Sequence, residues 1–279
     1  VTQATATEQW TSNYFTVSDG TKLHFAEMGA GPPVILIHGA GGSAIGNWFV
    51  NGIVPALAPT NRVIGIDMRA HGLSEPGPPE SRMKMSADVV EFMDQQGIVK
   101  AHIGGYSMGG FVTAGILASN PEKFITANFG GSGLRETEEW ADKVPPDKDG
   151  VDPEGEAATA AYRAAGAARG QEIGNAGVGR PRGGGSNDRA ARPDAAAAAA
   201  RMSALANAID LPSITFPVLA VNGEFDRPLS KTHRLWRELS NFTNVVLPGK
   251  GHLSAVMQGF IPQQYIDAMV RFITTNNPQ

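Results

Sequence analysis

Three side chains in this sequence could together do nucleophilic chemistry: Ser107, Asp226 and His252. Ser107 sits in Gly104-Gly105-Tyr106-Ser107-Met108-Gly109-Gly110, with glycine two residues before it and two after. Val99-Lys100-Ala101-His102-Ile103 reads as a buried strand before it, and Phe111 to Ala118 as an apolar helix after it. A strand turning sharply into a helix with Ser at its tip exposes the hydroxyl. The turn brings backbone so close on both sides that only glycine fits at Gly105 and Gly109. The helix start then aims free N–H groups and its positive dipole end at whatever joins the Ser oxygen. A serine hydroxyl is a poor nucleophile at neutral pH. It needs a base, and the base needs an orienting carboxylate.

Candidates for both follow later strands. Asp226 stands after Pro217 to Val221, in Val221-Asn222-Gly223-Glu224-Phe225-Asp226-Arg227-Pro228. His252 stands after Asn244 to Leu247, in Pro248-Gly249-Lys250-Gly251-His252. Glu224 competes with Asp226 for the acid, and the Gly-x-x-Asp spacing favours Asp226. All three residues follow strands, where an open α/β sheet gathers its active site at the carboxyl ends.

The remaining elements must position these residues. Tyr14 to Val17 and Lys22 to Ala26 flank Ser18-Asp19-Gly20-Thr21, a hairpin pattern. Val34 to Ile37 is a fully apolar run, suited to a strand covered on both faces, and it ends in His38-Gly39-Ala40-Gly41-Gly42. Ile45 to Leu57 is a helical candidate interrupted by Gly46 and Pro55. Arg62 to Asp67 reads as a strand, Ser86 to Gln96 as an amphipathic helix, and Phe124 to Phe129 as a strand. Lys231 to Leu239 and Gln264 to Thr274 read as helices. Alternating strand and helix imply parallel βαβ units, hence an α/β fold with a mostly parallel central sheet flanked by helices.

Composition changes after Gly131. From Leu134 to about Asn207 the chain is rich in Ala, Gly and charge, with few large apolar residues. Glu156 to Arg169 and Asp194 to Ala208 look helical, and Gly174 to Gly185, with six Gly and a Pro, reads as a mobile loop. The gap before Pro217 exceeds the roughly 30 residues of a whole βαβ unit. The expected organisation is a core of residues 1–131 and 209–279 with an inserted, largely helical cap over 132–208, held loosely above Ser107.

Composition also excludes functions. Hydrophobic residues at 42% and charged residues at 18% describe an ordinary globular chain, and a net charge of −4 offers no general attraction to nucleic acid or anionic membrane. Absence of cysteine removes disulfides, thiolate metal sites and a Cys nucleophile. No His or carboxylate spacing suggests a metal site, and no Gly-Lys-[Ser/Thr] ending turns the Gly-rich stretch into a phosphate loop. No apolar run is long enough to span a bilayer. The polar start from Val1 to Thr11 lacks a signal pattern, so the compartment stays open between cytoplasm and, should Val1 follow a removed leader, export.

With these motifs in place, the chain resembles an α/β-hydrolase of the ester- and lactone-cleaving kind, over Tyr14 to Asn128 and Ile209 to Phe272. The matching marks are His38-Gly39, the run Asp67-Met68-Arg69-Ala70-His71-Gly72-Leu73-Ser74, the Ser107 turn, Gly223-Glu224-Phe225-Asp226 and Gly251-His252. The family usually has glycine where Ala70 stands. The resemblance implies an oxyanion hole from the backbone N–H groups of Ala40 and Met108, a small-molecule ester or lactone as substrate, and no cofactor. His38 reads as bracing the oxyanion turn, Asp67 as ordering its own loop with a catalytic role as the alternative, and His71 as structural near the mouth with contact to substrate as the alternative. His24, His102 and His233 have no partner pattern. The cap arginines, Arg163 and Arg169 among them, form either a solvated face or a means of selecting anionic substrates. A carbon–carbon bond hydrolase is the nearest rival, although such enzymes usually carry Trp after the histidine where Leu253 stands here. Perhydrolase activity on the same acyl intermediate, or ligand binding without turnover, are the further alternatives.

Overall fold

Pro33–Ile37 forms a strand because it can be buried on both faces. Val34 and Leu36 enter one apolar cluster and Ile35 and Ile37 another, as the two-residue repeat of a strand requires. The structure, a computed structural model, describes residues 10–81, 83–175, 200 and 204–279, and for 167–175 the backbone alone. Its strands are β1 (Thr11–Thr16), β2 (Lys22–Met28), β3 (Pro33–Ile37), β4 (Arg62–Ile66), β5 (Ala101–Tyr106), β6 (Phe124–Gly130), β7 (Val218–Gly223) and β8 (Phe242–Leu247).

Together they make one sheet in the order β1-β2-β4-β3-β5-β6-β7-β8. β1 pairs antiparallel with β2, and β2 with β4; every other pairing is parallel. From β3 the chain moves outward to β4, then crosses to β5 and continues the other way. The reversal puts the carboxyl ends of β3 and β5 side by side, where such sheets place their ligands.

Helices cover both faces. On one, α2 (Met85–Gln95), α3 (Met108–Ser119) and α5 (Pro228–Glu238) bury Val89, Phe92, Val112, Ile116 and Leu235. On the other, α1 (Ile53–Leu57) and α6 (Gln263–Thr275) bury Ile53, Leu57, Tyr265, Met269 and Ile273. A further helix, α4 (Gly155–Asn175), belongs to the stretch between β6 and β7.

Several boundaries differ from the sequence reading, each for a local reason. Ile45 to Leu57 is not one helix: a π-helical turn over Ile45–Phe49 gives way to α1 after Gly52, whose φ of 96° breaks the helix. β5 runs past Ile103 through Gly104 and Gly105 to Tyr106. Gly104 belongs there because a Cβ would meet the Asn128 side chain at 2.6 Å on β6. α5 begins at Pro228, ahead of Lys231, with proline in the first turn where no N–H is needed. α4 extends past Arg169 and takes up Gly170 and Gly174. Most of the Gly174 to Gly185 loop and part of the Asp194 to Ala208 helix lie outside the described residues.

Candidate active site

Ser107 ends β5 and precedes α3 with φ 53° and ψ −108°, a left-handed backbone costly for a residue with a Cβ. The turn is held by the Ser107 amide donating to the Gly130 carbonyl at 2.8 Å and the Gly110 amide donating to the Ser107 carbonyl at 3.0 Å. Its glycines are steric necessities. A Cβ on Gly105 would overlap the Gly109 backbone, and one on Gly109 would overlap the Ile37 carbonyl of β3.

His252 follows β8 and reaches both partners: its Nε2 lies 2.9 Å from Ser107 Oγ and its Nδ1 2.8 Å from Asp226 Oδ2. The carboxyl ends of β5, β7 and β8 thus bring together the three residues that the sequence singled out. Glu224 faces elsewhere. It accepts hydrogen bonds from Lys148 Nζ at 2.6 Å and from the Gly249 amide at 2.9 Å, so it braces the loop carrying His252 without touching the imidazole.

Two groups that sequence spacing gave no reason to pick also grip this array. Lys231, one turn into α5, places Nζ 2.5 Å from Asp226 Oδ1, the oxygen that does not hold His252, and 3.1 Å from the Gly131 carbonyl. Burial disfavours the charge on Lys231 and lowers its pKa, with the Asp226 carboxylate opposing that shift. Tyr106, preceding Ser107, donates its buried hydroxyl to the His252 carbonyl at 2.5 Å and packs its ring 5.4 Å from the imidazole. Burial holds the Tyr106 phenol well above its ordinary pKa, so it stays a donor.

The Met108 amide, in the first turn of α3, has no acceptor within its helix. Ala40 is exposed at the cavity rim beside Gly39, in the turn after β3. Asn47 Oδ1 accepts the Gly39 amide at 2.8 Å and so fixes that turn. His38 Nε2 accepts the Met68 amide at 3.0 Å and its Nδ1 lies 2.8 Å from the Gly39 carbonyl, linking the turns after β3 and β4. Asp67 orders its loop as expected, accepting from the Ala44 amide at 2.7 Å and the Leu73 amide at 2.9 Å. It also pairs at 2.8 Å with His24, a partner invisible at a separation of 43 residues. His102 binds Thr126 and Asn277, His233 binds Glu136, and His71 lies 2.8 Å from the Arg69 carbonyl and outside the cavity wall.

A cavity of about 480 Å³ opens over Ser107 and His252. Tyr106, Phe225, Leu253, Val256 and Met257 supply apolar wall, and Thr159 and Tyr162 of α4 face it from the other side. The approach to α4 is tied down by polar links rather than by the weak apolar contacts that its composition suggests. Tyr162 Oη donates to the Ala40 carbonyl at 2.5 Å, Ser254 Oγ donates to Asp152 at 2.7 Å, and Lys250 pairs with Glu154. Arg163 is exposed and does not line the cavity. No helix among the described residues is long and apolar enough to cross a membrane.

Comparison with known proteins agrees with this architecture. A family model described as the alpha/beta hydrolase fold matches residues 32–145. Among curated relatives, the dihydrolipoyllysine-residue acetyltransferase component of an acetoin cleaving system from Cupriavidus necator is 36% identical over 110 residues, 39% of this chain and 29% of the relative. The chain therefore matches less than a third of that relative's length. Among solved structures, a meta-cleavage product hydrolase from Pseudomonas fluorescens superposes with a TM-score of 0.66 at 22% identity, over 95% of this chain and 98% of the other. A thermophilic esterase from Thermogutta terrifontis gives 0.63 at 21% identity, over 97% of this chain and 100% of the other. Sheet order, strand-end turns and these likenesses converge: the chain is an α/β-hydrolase-fold protein.

Proposed function

We propose that this chain is a serine hydrolase that cleaves carboxylic esters or lactones of small to medium size through an acyl-enzyme. The observation that carries the reading is His252, whose two ring nitrogens lie 2.9 Å from Ser107 Oγ and 2.8 Å from Asp226 Oδ2. Ser107 Oγ attacks the substrate carbonyl while His252 Nε2 takes its proton. Asp226 holds the Nδ1–H and stabilises the imidazolium. The Met108 and Ala40 amides receive the oxyanion of the tetrahedral intermediate, and a donor of this kind is typically worth ~3–4 kcal/mol of barrier. As the intermediate collapses, His252 returns its proton to the leaving alcohol. Water activated by the same nitrogen then releases the acid and restores Ser107. The balance needs only ester and water, with no cofactor.

In this reading residues 132–208 act as a cap over a core of 1–131 and 209–279, with the start of α4 roofing the cavity. The likeness to a meta-cleavage product hydrolase keeps carbon–carbon bond hydrolysis as a second reading, since the same three residues could serve it. Leu253 rather than Trp beside His252, and a cavity wall without lysine or arginine among the described residues, favour the ester. A perhydrolase would use the same acyl intermediate, and a ligand-binding protein would not turn substrate over.

Hydrolysis of short p-nitrophenyl esters separates these readings. Ser107→Ala and His252→Ala should each leave at most the ~10³–10⁴-fold residual acceleration over water that binding and oxyanion contacts provide. Asp226→Asn should be severely impaired and Glu224→Gln active. Near-native turnover by Ser107→Ala would refute the assignment, and a dienone acid cleaved faster than any ester would favour the second reading.

A further inference from the structure

The cavity over Ser107 holds a charge that ester hydrolysis does not require. Asp152 lines its wall together with Tyr106, Tyr162, Phe225, Ser107 and His252. Both carboxylate oxygens are held in place: Oδ2 accepts from the Ser254 hydroxyl at 2.7 Å and Oδ1 from the Glu154 amide at 2.9 Å. A Cβ on Gly251 would lie 2.6 Å from Oδ2, so the carboxylate sits against the residue preceding His252.

Its neighbours are neutralised and Asp152 is not. Glu154 pairs with Lys250, Glu224 with Lys148 and Asp226 with Lys231. No lysine, arginine or histidine among the described residues pairs with Asp152, and none of the cavity-lining residues is a lysine or arginine. An anion entering the cavity would meet a like charge with no lysine or arginine among the described lining residues to offset it; Lys148, 5.3 Å from the Phe225 ring, is itself paired with Glu224. A cation would gain a carboxylate and the electron-rich faces of nearby aromatic rings.

We infer that the cavity selects esters carrying a cationic ammonium group in the acyl or alcohol part, with the cation against Asp152 and beside Tyr162 and Phe225. This inference rests on the hydrolytic reading of Ser107 and adds the charge class of its substrate. It is opposite in sign to the anionic substrate that the cap arginines suggested. Volume permits it: about 480 Å³ falls in the ordinary range for small-molecule sites.

The test uses three acetate esters of matched shape: those of choline, of neohexyl alcohol (its uncharged isostere) and of isethionate, which is anionic. In the native protein kcat/KM should fall in the order cation, neutral, anion, with cation over neutral by roughly tenfold, the size of a partly desolvated cation–aromatic contact. Asp152→Asn should reduce that ratio severalfold, leaving only what the aromatic rings contribute. A native ratio of one or less, or a ratio unchanged in Asp152→Asn, overturns the inference. Because Asp152 also braces Ser254, a second arm avoids that substitution. Calorimetric binding of the choline and neohexyl esters to Ser107→Ala should favour the cation and weaken with added salt, and equal or reversed affinity overturns the inference. If Ser107→Ala still hydrolyses the esters, or the native protein hydrolyses none, the hydrolytic reading fails. The charge preference is then still decided, by the ratio of kcat/KM for the same two esters where they are hydrolysed and by their binding to the native protein where they are not.

Discussion

Ala70 occupies φ 61°, a left-handed conformation in the loop after β4, with its amide donating to the Glu75 carbonyl at 3.1 Å. A residue with a Cβ pays ~1–2 kcal/mol for that backbone, while glycine loses roughly 0.5–1 kcal/mol more chain entropy on folding. Ala70→Gly should therefore stabilise the protein by about 0.5–1 kcal/mol, a rise of about 1–3 °C in Tm, with ester turnover unchanged. An unchanged or lower Tm would mean that the loop pays no strain at this position. Residue-level legibility divides the site residues. Ser107, Asp226 and His252 were readable because glycine and turn residues mark the strand ends that carry them. Lys231, Tyr106 and Asp152 were not, because each acts on the site through a hydrogen bond or cavity contact that tertiary folding alone creates. Tyr106 joins His252 across 146 residues.

Two glycines in helices show what an element tolerates. Gly109 lies in the first turn of α3, where a Cβ would overlap the Ile37 carbonyl, so α3 approaches β3 as closely as backbone allows. Gly109→Ala must push α3 away from the sheet and move Met108 and Ser107 with it. The expected result is a loss of at least ~1–3 kcal/mol of stability, as for overpacked cores, together with a severe loss of turnover. Gly166, within α4, has no atom of the described residues beyond its own stretch of helix within 4 Å of the position a Cβ would take. There Gly166→Ala should stabilise α4 by up to ~1 kcal/mol through helix propensity, without loss of activity. Denaturant midpoints and ester assays on both variants check the contrast, and equal effects would mean that the helix packing has been misread. Strands and helices of the sheet were legible because burial on two faces leaves long apolar runs, as in Val34 to Ile37. The run of β5 into Gly104 and Gly105 was not, since packing against Asn128 and Gly109 decides that backbone, and neither was the break at Gly52, whose φ of 96° no spacing announces.

For the molecule as a whole, His102 gives the sheet a pH dependence. Its ring lies 2.9 Å from the Thr126 hydroxyl on β6 and 3.0 Å from Asn277 near the C-terminus, joining the centre of the sheet to the end of the chain. Burial lowers its pKa from the ordinary 6.5 to about 4, the contact with Asn277 opposing the shift only in part. A histidine depressed in this way is neutral in the folded protein where the unfolded chain already takes up a proton. The stabilising difference is fully present above pH 6.5, declines as the pH falls towards 4, and declines no further once the folded form is protonated as well. Taken over that window, the shift corresponds to roughly 3 kcal/mol. Urea unfolding at pH 7 and pH 5 should therefore show the native protein losing more stability than His102→Gln, by roughly 2 kcal/mol. Other titrating groups are common to both proteins and cancel in the difference. Glutamine can still hydrogen-bond, so the comparison isolates the proton rather than the packing. Parallel losses in the two proteins would mean that His102 is not the group that sets this dependence.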